Sequence, residues 1–457
     1  MKLAKLMVLF ASCLCFSLFA NERSDAVMLT KKAATIKVPT ATNSVDNGIA
    51  IENGEVWIWG YRDHAQQGNG KMNIPSNAPP DRATVLIEKG AYITKVAAGI
   101  YHMIALDDQG NVWGWGQNGA YEAGGYATTP WYLPTPSLVL EGKDVVMIDC
   151  GEYTSFALTR SGEVYAWGTA YFGQQANGIM VPDKIAPTEV HRVPQSYFNN
   201  SPAVSIGAGY ESGYAINDRG EVFAWGDDES DQFGYENAPL GGWVHVYRTR
   251  PVQITNLPPG ISGEDIVTIT GGNRYTAFLT SEGEVWAMGA INHLGLGFGY
   301  LGPKLYIPEM YHTDKNGERY KVWFETSMAD PQFVMDDVNT LYCRFGGCVA
   351  VTNDNELFTW GVTLAAGVEN GSLWQIMYGY KPLKREVIGN LTKFDGGKES
   401  IIYWNDEGKA FGVGWNNHFK YDPKGKAPLV VNWPGVELKF VTDEMKKVYG
   451  EDFVPGQ

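Results

Sequence analysis

The chain has 457 residues, and its 44% hydrophobic residues supply enough apolar surface for a folded core, which excludes an intrinsically disordered protein. Acidic residues number 51 and basic residues 36, so the formal net charge is −15. Because nucleic acid repels a negative surface, we expect no nucleic-acid partner.

A targeting segment opens the chain. Lys2 and Lys5 precede a short apolar run that ends at Ala20. A basic start, an apolar stretch and a small residue are typical of a secretory signal, and the run is shorter than a membrane-spanning helix requires. We therefore predict a signal peptide over residues 1–20, no transmembrane segment, and an exported protein that is periplasmic, cell-surface or secreted. Attachment as a lipoprotein through Cys13 stays open as an alternative.

One seven-residue pattern recurs along the chain: Gly, an acidic residue or Asn, Val, an aromatic residue, any residue, Trp and Gly. Its closing glycines are between 52 and 72 residues apart, which indicates a repeat architecture. A second apolar strand precedes each copy, as in residues 96–106, and a polar turn joins the two into a β-hairpin. The seven copies, two of them degenerate, are residues 54–60, 110–116, 162–168, 220–226, 283–289, 355–361 and 408–414.

Short strands of this kind bury both of their faces only when they pack radially around an axis. We therefore predict an all-β, seven-bladed β-propeller. The tryptophans of the pattern are expected in its core. They are Trp59, Trp115, Trp167, Trp225 and Trp360.

The repeats place the propeller over residues 41–441, after a lead-in over 21–40 and before a C-terminal tail over 442–457. The first repeat lacks the strands that open the others, whereas residues 428–432 and 436–441 look like the opening strands of a further repeat. We therefore predict that the ring is closed by C-terminal strands that pair with the N-terminal blade.

Residues 99–118 show a longer pattern, in which Gly99 and His102 precede Ala105-Leu106 and the Trp-Gly strand. This pattern resembles the regulator-of-chromosome-condensation (RCC1-like) repeat, and with the signal it resembles a secreted bacterial-type member. The family includes exchange factors for small GTPases, ubiquitin-ligase modules and secreted bacterial propellers that inhibit β-lactamase. The resemblance implies a protein-binding scaffold more than any one activity. Other repeats replace His102, so we interpret it as structural.

Three cysteines lie outside the signal. Cys343 and Cys348 flank the hairpin turn of the sixth repeat, where Arg344 stands in place of an expected glycine. An oxidising destination permits a disulfide between them. Cys150 would then be a free, buried thiol.

No motif indicates catalysis, a cofactor or a metal. The seven histidines form no zinc signature, and the chain has no nucleophile elbow or phosphate loop. Residues 227–231 hold four acids but lack the glycine and the distal glutamate of a calcium loop, so a solvated acidic loop is predicted. We expect a protein that is not an enzyme and has no cofactor or metal, while paired carboxylates from different blades stay open as a hydrolase alternative.

The loops between blades carry the candidate binding residues, because loops on a rigid scaffold commonly hold function. Four are rich in Tyr and Trp, which dominate interface hot spots. We predict a monomeric protein-binding scaffold whose partner carries a basic patch. The alternatives are carbohydrate binding and a delivered exchange factor for a small GTPase. The candidate binding residues are Trp131, Tyr132, Trp243, Tyr247, Tyr300, Tyr306, Tyr311, Trp374 and Tyr378.

Overall fold

Seven antiparallel sheets form the blades of the described chain, beside one separate two-stranded hairpin, which confirms the predicted all-β, seven-bladed β-propeller. A computed structural model describes residues 47–72, 75–124, 130–179, 187–234, 246–290, 310–313, 319–322, 327–361, 379–396, 400–415, 424 and 430–455. Within these residues six blades have four strands and the first blade has three.

The strands follow one another blade by blade along the chain. Blade 1 contains β1 (Asn47–Glu52), β2 (Glu55–Gly60) and β3 (Asp81–Arg82). Blade 2 contains β4 (Ile93–Ala98), β5 (His102–Asp107), β6 (Val112–Gln117) and β7 (Tyr132–Leu140). Blade 3 contains β8 (Val145–Cys150), β9 (Thr154–Thr159), β10 (Val164–Thr169) and β11 (Pro187–Arg192). Blade 4 contains β12 (Ala203–Ala208), β13 (Ser212–Asn217), β14 (Val222–Asp227) and β15 (Tyr247–Gln253).

The remaining blades continue the series. Blade 5 contains β16 (Ile266–Gly271), β17 (Tyr275–Thr280), β18 (Val285–Ala290) and β21 (Ser327–Met335), with the separate hairpin β19 (Met310–Thr313) and β20 (Arg319–Val322) inserted before β21. Blade 6 contains β22 (Val338–Arg344), β23 (Gly347–Thr352), β24 (Leu357–Gly361) and β25 (Gly379–Lys384). Blade 7 contains β26 (Leu391–Gly396), β27 (Ser400–Asn405), β28 (Ala410–Trp415) and β29 (Val430–Glu437).

Helices are few in the described part of the chain. Helix α1 (Thr84–Glu88) precedes blade 2, and helix α2 (Lys439–Tyr449) follows blade 7. Two short 3-10 turns span Gln195–Phe198 and Gly263–Asp265. None of these helices is long and apolar enough to cross a membrane.

Each blade is an up-and-down meander, and the first strands of neighbouring blades contact one another around the centre of the ring. The first strand is therefore innermost and the fourth is outermost. As a result, the turn between strands one and two and the start of the loop after strand three lie at the same end of blades 2 to 6. We call this end the loop face.

The apolar stretch predicted as one strand over residues 96–106 is two strands, β4 and β5. The backbone N–H of Gly99 donates to the carbonyl of His102 at 2.9 Å and closes a tight turn between them. Gly99 leaves room for the His102 ring, which a Cβ would approach to 2.1 Å. The prediction missed the turn because apolar residues continue through it.

The tryptophans of the repeat are buried in the core, as predicted. Each of three donates its indole N–H to a backbone carbonyl of the preceding blade, so one residue fills its own blade and links it to its neighbour. The three bonds are Trp115–Gln66 at 2.7 Å, Trp167–Glu122 at 3.0 Å and Trp225–Gln174 at 2.8 Å.

The predicted ring closure by C-terminal strands pairing with the N-terminal blade is wrong. Strand β29 is the fourth strand of blade 7, where Glu437 pairs with Phe411 of β28. The next apolar residues form helix α2, whose Val441 and Met445 are fully buried with Trp57 of blade 1. The helical spacing of these residues buries them in one stripe. The propeller boundary predicted at residue 441 therefore falls inside a helix.

A buried lysine also joins blade 7 to blade 1. The Lys393 ammonium donates to the carbonyl of Ile51 at 3.2 Å and lies 3.6 Å from the Glu52 carboxylate. It also lies 4.7 Å from the centre of the Trp404 ring, a cation–π arrangement. Side chains from both ends of the described chain therefore close the ring.

Candidate functional site

The turns between strands one and two of blades 2 to 6 form a hydrogen-bonded rim on the loop face. We define the rim as residues 99–101, 151–153, 209–211, 272–274 and 345–346. Backbone hydrogen bonds link each turn to the next, so the rim behaves as one unit. These bonds join Ile100 N to Glu152 O at 3.1 Å, Glu152 N to Tyr210 O at 2.8 Å, Tyr210 N to Gly272 O at 3.2 Å, and Asn273 N to Phe345 O at 2.5 Å.

Four carboxylates gather beside the rim of blades 3 to 5. We call Glu152, Glu211, Asp227 and Glu229 the acidic cluster. Among the described residues, Arg274 faces them, with its guanidinium 3.1 Å from Glu229 and 3.9 Å from Asp227. The cluster thus has an excess of negative charge when all four groups are ionised.

Burial and mutual repulsion hold protons on two members of this cluster. Burial, with the charges of Asp227 and Glu152, raises the pKa of Glu211 to about 8. Burial also raises the pKa of Asp227 to about 7, and the charge of Glu229 adds to the shift. Tyr210 donates its hydroxyl to the Glu152 carboxylate. A cation that binds here would favour the ionised carboxylates and displace those protons.

The loop after β14 is not the solvated acidic loop that we predicted. Asp227, Asp228 and Asp231 are buried. Arg248 explains part of this burial, because its guanidinium lies 2.9 Å from the Asp228 carboxylate. The cations that allow burial stand 20 to 47 positions further along the chain, so composition within the loop gave no sign of them.

Trp131 and Tyr132 lie on the loop face of blade 2. Trp131 is 55% exposed, and its ring rests on the backbone of Gly119. Tyr132 is half-buried and contacts the ring of His64 at 5.5 Å between centroids. His64 in turn stacks on the rim residue Tyr101 at 4.2 Å. These side chains form an aromatic surface at one side of the rim.

Tyr247 lies at the other side, beside the acidic cluster. Its hydroxyl donates to Glu229 at 2.9 Å, and its ring contacts Phe172 of blade 3 at 5.1 Å. The structure thus places Trp131 and Tyr132 in one group and Tyr247 in another. Of the other candidate residues, Tyr311 falls in β19, while Trp243, Tyr300, Tyr306, Trp374 and Tyr378 lie outside the described residues.

Arg344 closes the channel beneath the rim. It ends the innermost strand of blade 6, and its guanidinium donates to the carbonyls of Ala98 and Cys150 in blades 2 and 3. The side chain therefore crosses the centre of the ring. Cys343 and Cys348 form a disulfide on either side of its turn, as the sequence predicts.

The other channel groups are structural. Cys150 is a buried free thiol, and burial raises its pKa to about 12, so it is no nucleophile. His102 donates to or accepts from the Ser155 hydroxyl at 2.9 Å, while burial and the Arg344 charge lower its pKa to about 3. It is a neutral core residue, which agrees with our interpretation. No trio of His, Cys, Asp or Glu in the described chain is arranged to hold a metal ion.

Sequence reasoning missed the rim residues Tyr101, Glu152, Tyr210, Glu211 and Arg274. A signal for them exists, since each stands one or two places after the glycine that ends the innermost strand or begins the turn. Aligning the repeats on that glycine gives the pairs Ile-Tyr, Glu-Tyr, Tyr-Glu and Asn-Arg at one structural position. Variable polar and aromatic residues at a fixed place in a repeat indicate a surface.

Comparisons with known proteins agree with this fold. The chain is 29% identical to the mitochondrial RCC1 domain-containing protein RUG3 of Arabidopsis thaliana over 48% of this chain and 46% of RUG3. It is 25% identical to the ultraviolet-B receptor UVR8 of the same plant, over 76% of this chain and 70% of UVR8. The chain thus spans about half the length of the first of these relatives.

A solved structure shows the same architecture. Crystalline Prp20p of Saccharomyces cerevisiae superposes with a TM-score of 0.62 at 19% identity, over 89% of this chain and 88% of Prp20p. The family model of the RCC1-like domain matches residues 28–373, well over half of the chain. This protein therefore belongs to the RCC1-like domain family.

Proposed function

We propose that this protein is an exported, non-enzymatic scaffold that binds a basic segment of a partner protein on its loop face. RCC1-like propellers are commonly protein-binding scaffolds or exchange factors. The acidic cluster is the observation that carries the proposal, because four carboxyl groups of the described chain lie together beside Arg274 and the rim. A lysine or arginine of the partner would relieve the repulsion between these groups on binding.

Aromatic side chains beside the acidic cluster support a protein partner. Tyr210 and Tyr247 each hold a carboxylate of the cluster through a hydroxyl while their rings pack on Phe345 and Phe172. Fixed aromatic rings next to charges are the usual composition of an interface hot spot. The yeast protein Prp20p, which has the same fold, binds Gsp1p and histones. We extend to this chain only the binding of a protein by the propeller.

Export is part of the proposal and rests on two features. The N-terminal residues have the order of a secretory signal. The buried disulfide Cys343–Cys348 is typical of a protein that matures in an oxidising compartment.

The test compares matched charge variants of the full chain. Glu211→Gln removes a cluster carboxyl group that a bound cation would cause to ionise, and Glu407→Gln removes a charge from a 62% exposed side chain on the opposite face. The tagged proteins capture partners from envelope, secreted and host-cell fractions, and affinity for the captured protein is then measured at low and high salt. We expect Glu211→Gln to weaken binding about tenfold and Glu407→Gln to leave it unchanged.

Binding that survives both high salt and Glu211→Gln would overturn the basic-partner proposal. The exposed ring of Trp131 favours a carbohydrate as the second candidate, because sugars stack on exposed indole faces. Glycan-array binding that is lost in Trp131→Ala and insensitive to salt would establish it instead.

A further inference from the structure

A disulfide bond crosses the turn between the first two strands of blade 6. Cys343 and Cys348 pair across β22 and β23, with Arg344 opposite Gly347 and only Phe345 and Gly346 between them. Phe345 has a φ of +48°, a conformation that L residues seldom adopt. The disulfide encloses this unfavourable turn and keeps its two strands in register.

Arg344 ties the same turn to the opposite side of the ring. Its guanidinium binds the carbonyls of Ala98 and Cys150, the last residues of β4 and β8. The rim turns of blades 2 and 3 begin at the next residue in each case. One side chain therefore fixes the starting points of two rim turns to a third, across the channel.

Phe345 reaches the proposed binding face directly. Its carbonyl accepts from the N–H of Asn273 at 2.5 Å, the last of the described rim bonds. Its ring contacts Tyr210 edge-on at 5.0 Å, and Tyr210 holds Glu152 of the acidic cluster. The geometry of the blade 6 turn is thus transmitted to the cluster through two contacts.

We propose that formation of the Cys343–Cys348 disulfide sets the Arg344 cross-brace, so that the rim becomes ordered only after the chain is oxidised. The consequence for binding rests on the proposed function. In the reducing compartment where the chain is synthesised the scaffold would not bind its partner, and it would gain binding after export. Oxidation removes two electrons and two protons from the thiols, and a protein disulfide that acts as the oxidant becomes a dithiol.

Burial makes this an assembly step and not a reversible switch. Cys343 and Cys348 are 1% and 2% exposed, so an oxidant can reach them only before the blades pack together. Once the ring is closed, a reductant cannot reach the buried disulfide either. The five-residue separation allows the pair to meet early, because short loops close quickly.

Hydrogen exchange of the full chain tests the brace without a partner. The variants are Cys343→Ala with Cys348→Ala, Arg344→Met, and the triple combination. We expect the amides of Ile100 and Glu152 to exchange about tenfold faster in each. If the disulfide acts through Arg344, the two changes affect the same contact and their effects do not add. The amides of the triple variant should therefore exchange no faster than those of whichever of the other two variants exchanges faster.

Two controls separate the brace from general loss of stability. Cys150→Ala removes another channel cysteine but keeps the carbonyl that Arg344 binds, so rim exchange should stay within twofold of the unsubstituted protein. The amide of Leu438, bonded to the Ala410 carbonyl in blade 7, should be unchanged in every variant. Arg344→Lys, with the disulfide intact, should give intermediate rim exchange even if the cysteine variants do not fold.

Unchanged rim exchange without the disulfide, additive effects, or equal acceleration around the whole ring would each overturn the inference. None of these results bears on the proposed binding of a basic partner, which the Glu211→Gln comparison tests separately. If Glu211→Gln leaves binding unchanged, the inference about the Arg344 cross-brace is not affected.

Discussion

Glu211 and Asp227 hold protons in the folded chain at pH values where the unfolded chain has lost them. Their pKa values of about 8 and about 7 lie above the ordinary 4.5 and 3.8. The charged groups that act on them are Glu152, Asp228, Glu229 and Arg274. Because the folded state then binds more protons than the unfolded state, stability falls as pH rises through this interval and levels off above pH 8.

Glu211→Gln should remove the part of that pH dependence that comes from Glu211, while Asp227 keeps its own. A neutral amide of similar shape neither repels Asp227 nor needs a proton, so we expect the variant to be more stable by about 1–2 kcal/mol at pH 8 and equally stable at pH 4. Urea unfolding across this pH range measures the difference. The stability difference between the Glu407→Gln control and the unsubstituted protein should not change with pH. If the stability of Glu211→Gln falls with pH in parallel to that of the unsubstituted protein, the raised pKa of Glu211 is contradicted.

The individual residues of the site were the least predictable part of the molecule. The sequence identified Tyr247 and Trp131 as aromatic loop residues, but it did not reveal that Glu211 lies beside Asp227. That proximity arises because rim and loop meet at one end of a blade, which a one-dimensional pattern does not display. Arg344 did stand out, since it replaces a glycine that the other repeats favour.

At the scale of the blade, the closing glycine of the repeat supports the rim. In blade 3 the strand that ends in Trp167-Gly168 lies directly against the rim turn, and the N–H of Thr169 donates to the Tyr153 carbonyl at 2.9 Å. Gly168 has a φ of +108°, and a Cβ there would come within 2.2 Å of that carbonyl. The repeat pattern that predicts the fold is therefore also what positions the candidate site.

Gly168→Ala should be far more costly than an alanine at an open glycine of the same φ sign. Gly142 has a φ of +63° and no atom within 4 Å of a built Cβ. We expect Gly142→Ala to cost about 1 kcal/mol for its conformation alone, and Gly168→Ala about 3 kcal/mol through the added clash with Tyr153. Denaturant unfolding of both variants decides this, and equal losses would show that the close approach carries no energy.

The inner strands and the core residues were predictable because both depend on the spacing of apolar residues and glycines within one repeat. Alternation, the turn glycines and the recurring tryptophan gave the hairpins and their buried faces. The turn at Gly99 was missed because apolar residues run through it, and the fourth strands were missed because their sequences vary. Strand β7, for example, contains Pro134 and Pro136, which the outermost strand of a blade tolerates because it pairs along one edge, with β6.

Ring closure belongs to the whole molecule, and there the sequence prediction failed. A few apolar residues over a short stretch fit either a strand or part of an amphipathic helix, because so short a stretch does not resolve the periodicity. Val436 to Val441 was interpreted as strand, but the chain enters α2 at Lys439. The closing contacts are side chains: Tyr449 accepts from the Trp57 indole at 3.1 Å and donates to Glu55 at 2.6 Å.

Removal of residues 439–457 should therefore weaken the entire propeller and not just a tail. Val441 and Met445 are fully buried, and each contributes about 1.5–3 kcal/mol by burial, so we expect a loss of about 3–6 kcal/mol in urea unfolding. Tyr449→Phe should lose about 1 kcal/mol through its hydrogen bonds.

Val448→Ala, at a 42% exposed position of the same helix, serves as the control and should stay within about 0.5 kcal/mol of the unsubstituted protein. Hydrogen exchange then locates the damage, because blades 1 and 7 lose their shared contacts when α2 is absent while blades 3 and 4 keep theirs. The largest acceleration of exchange is expected in blades 1 and 7, above the smaller increase that the global loss of stability gives elsewhere. An unchanged unfolding midpoint after truncation would mean that Lys393 and its partners close the ring without the helix.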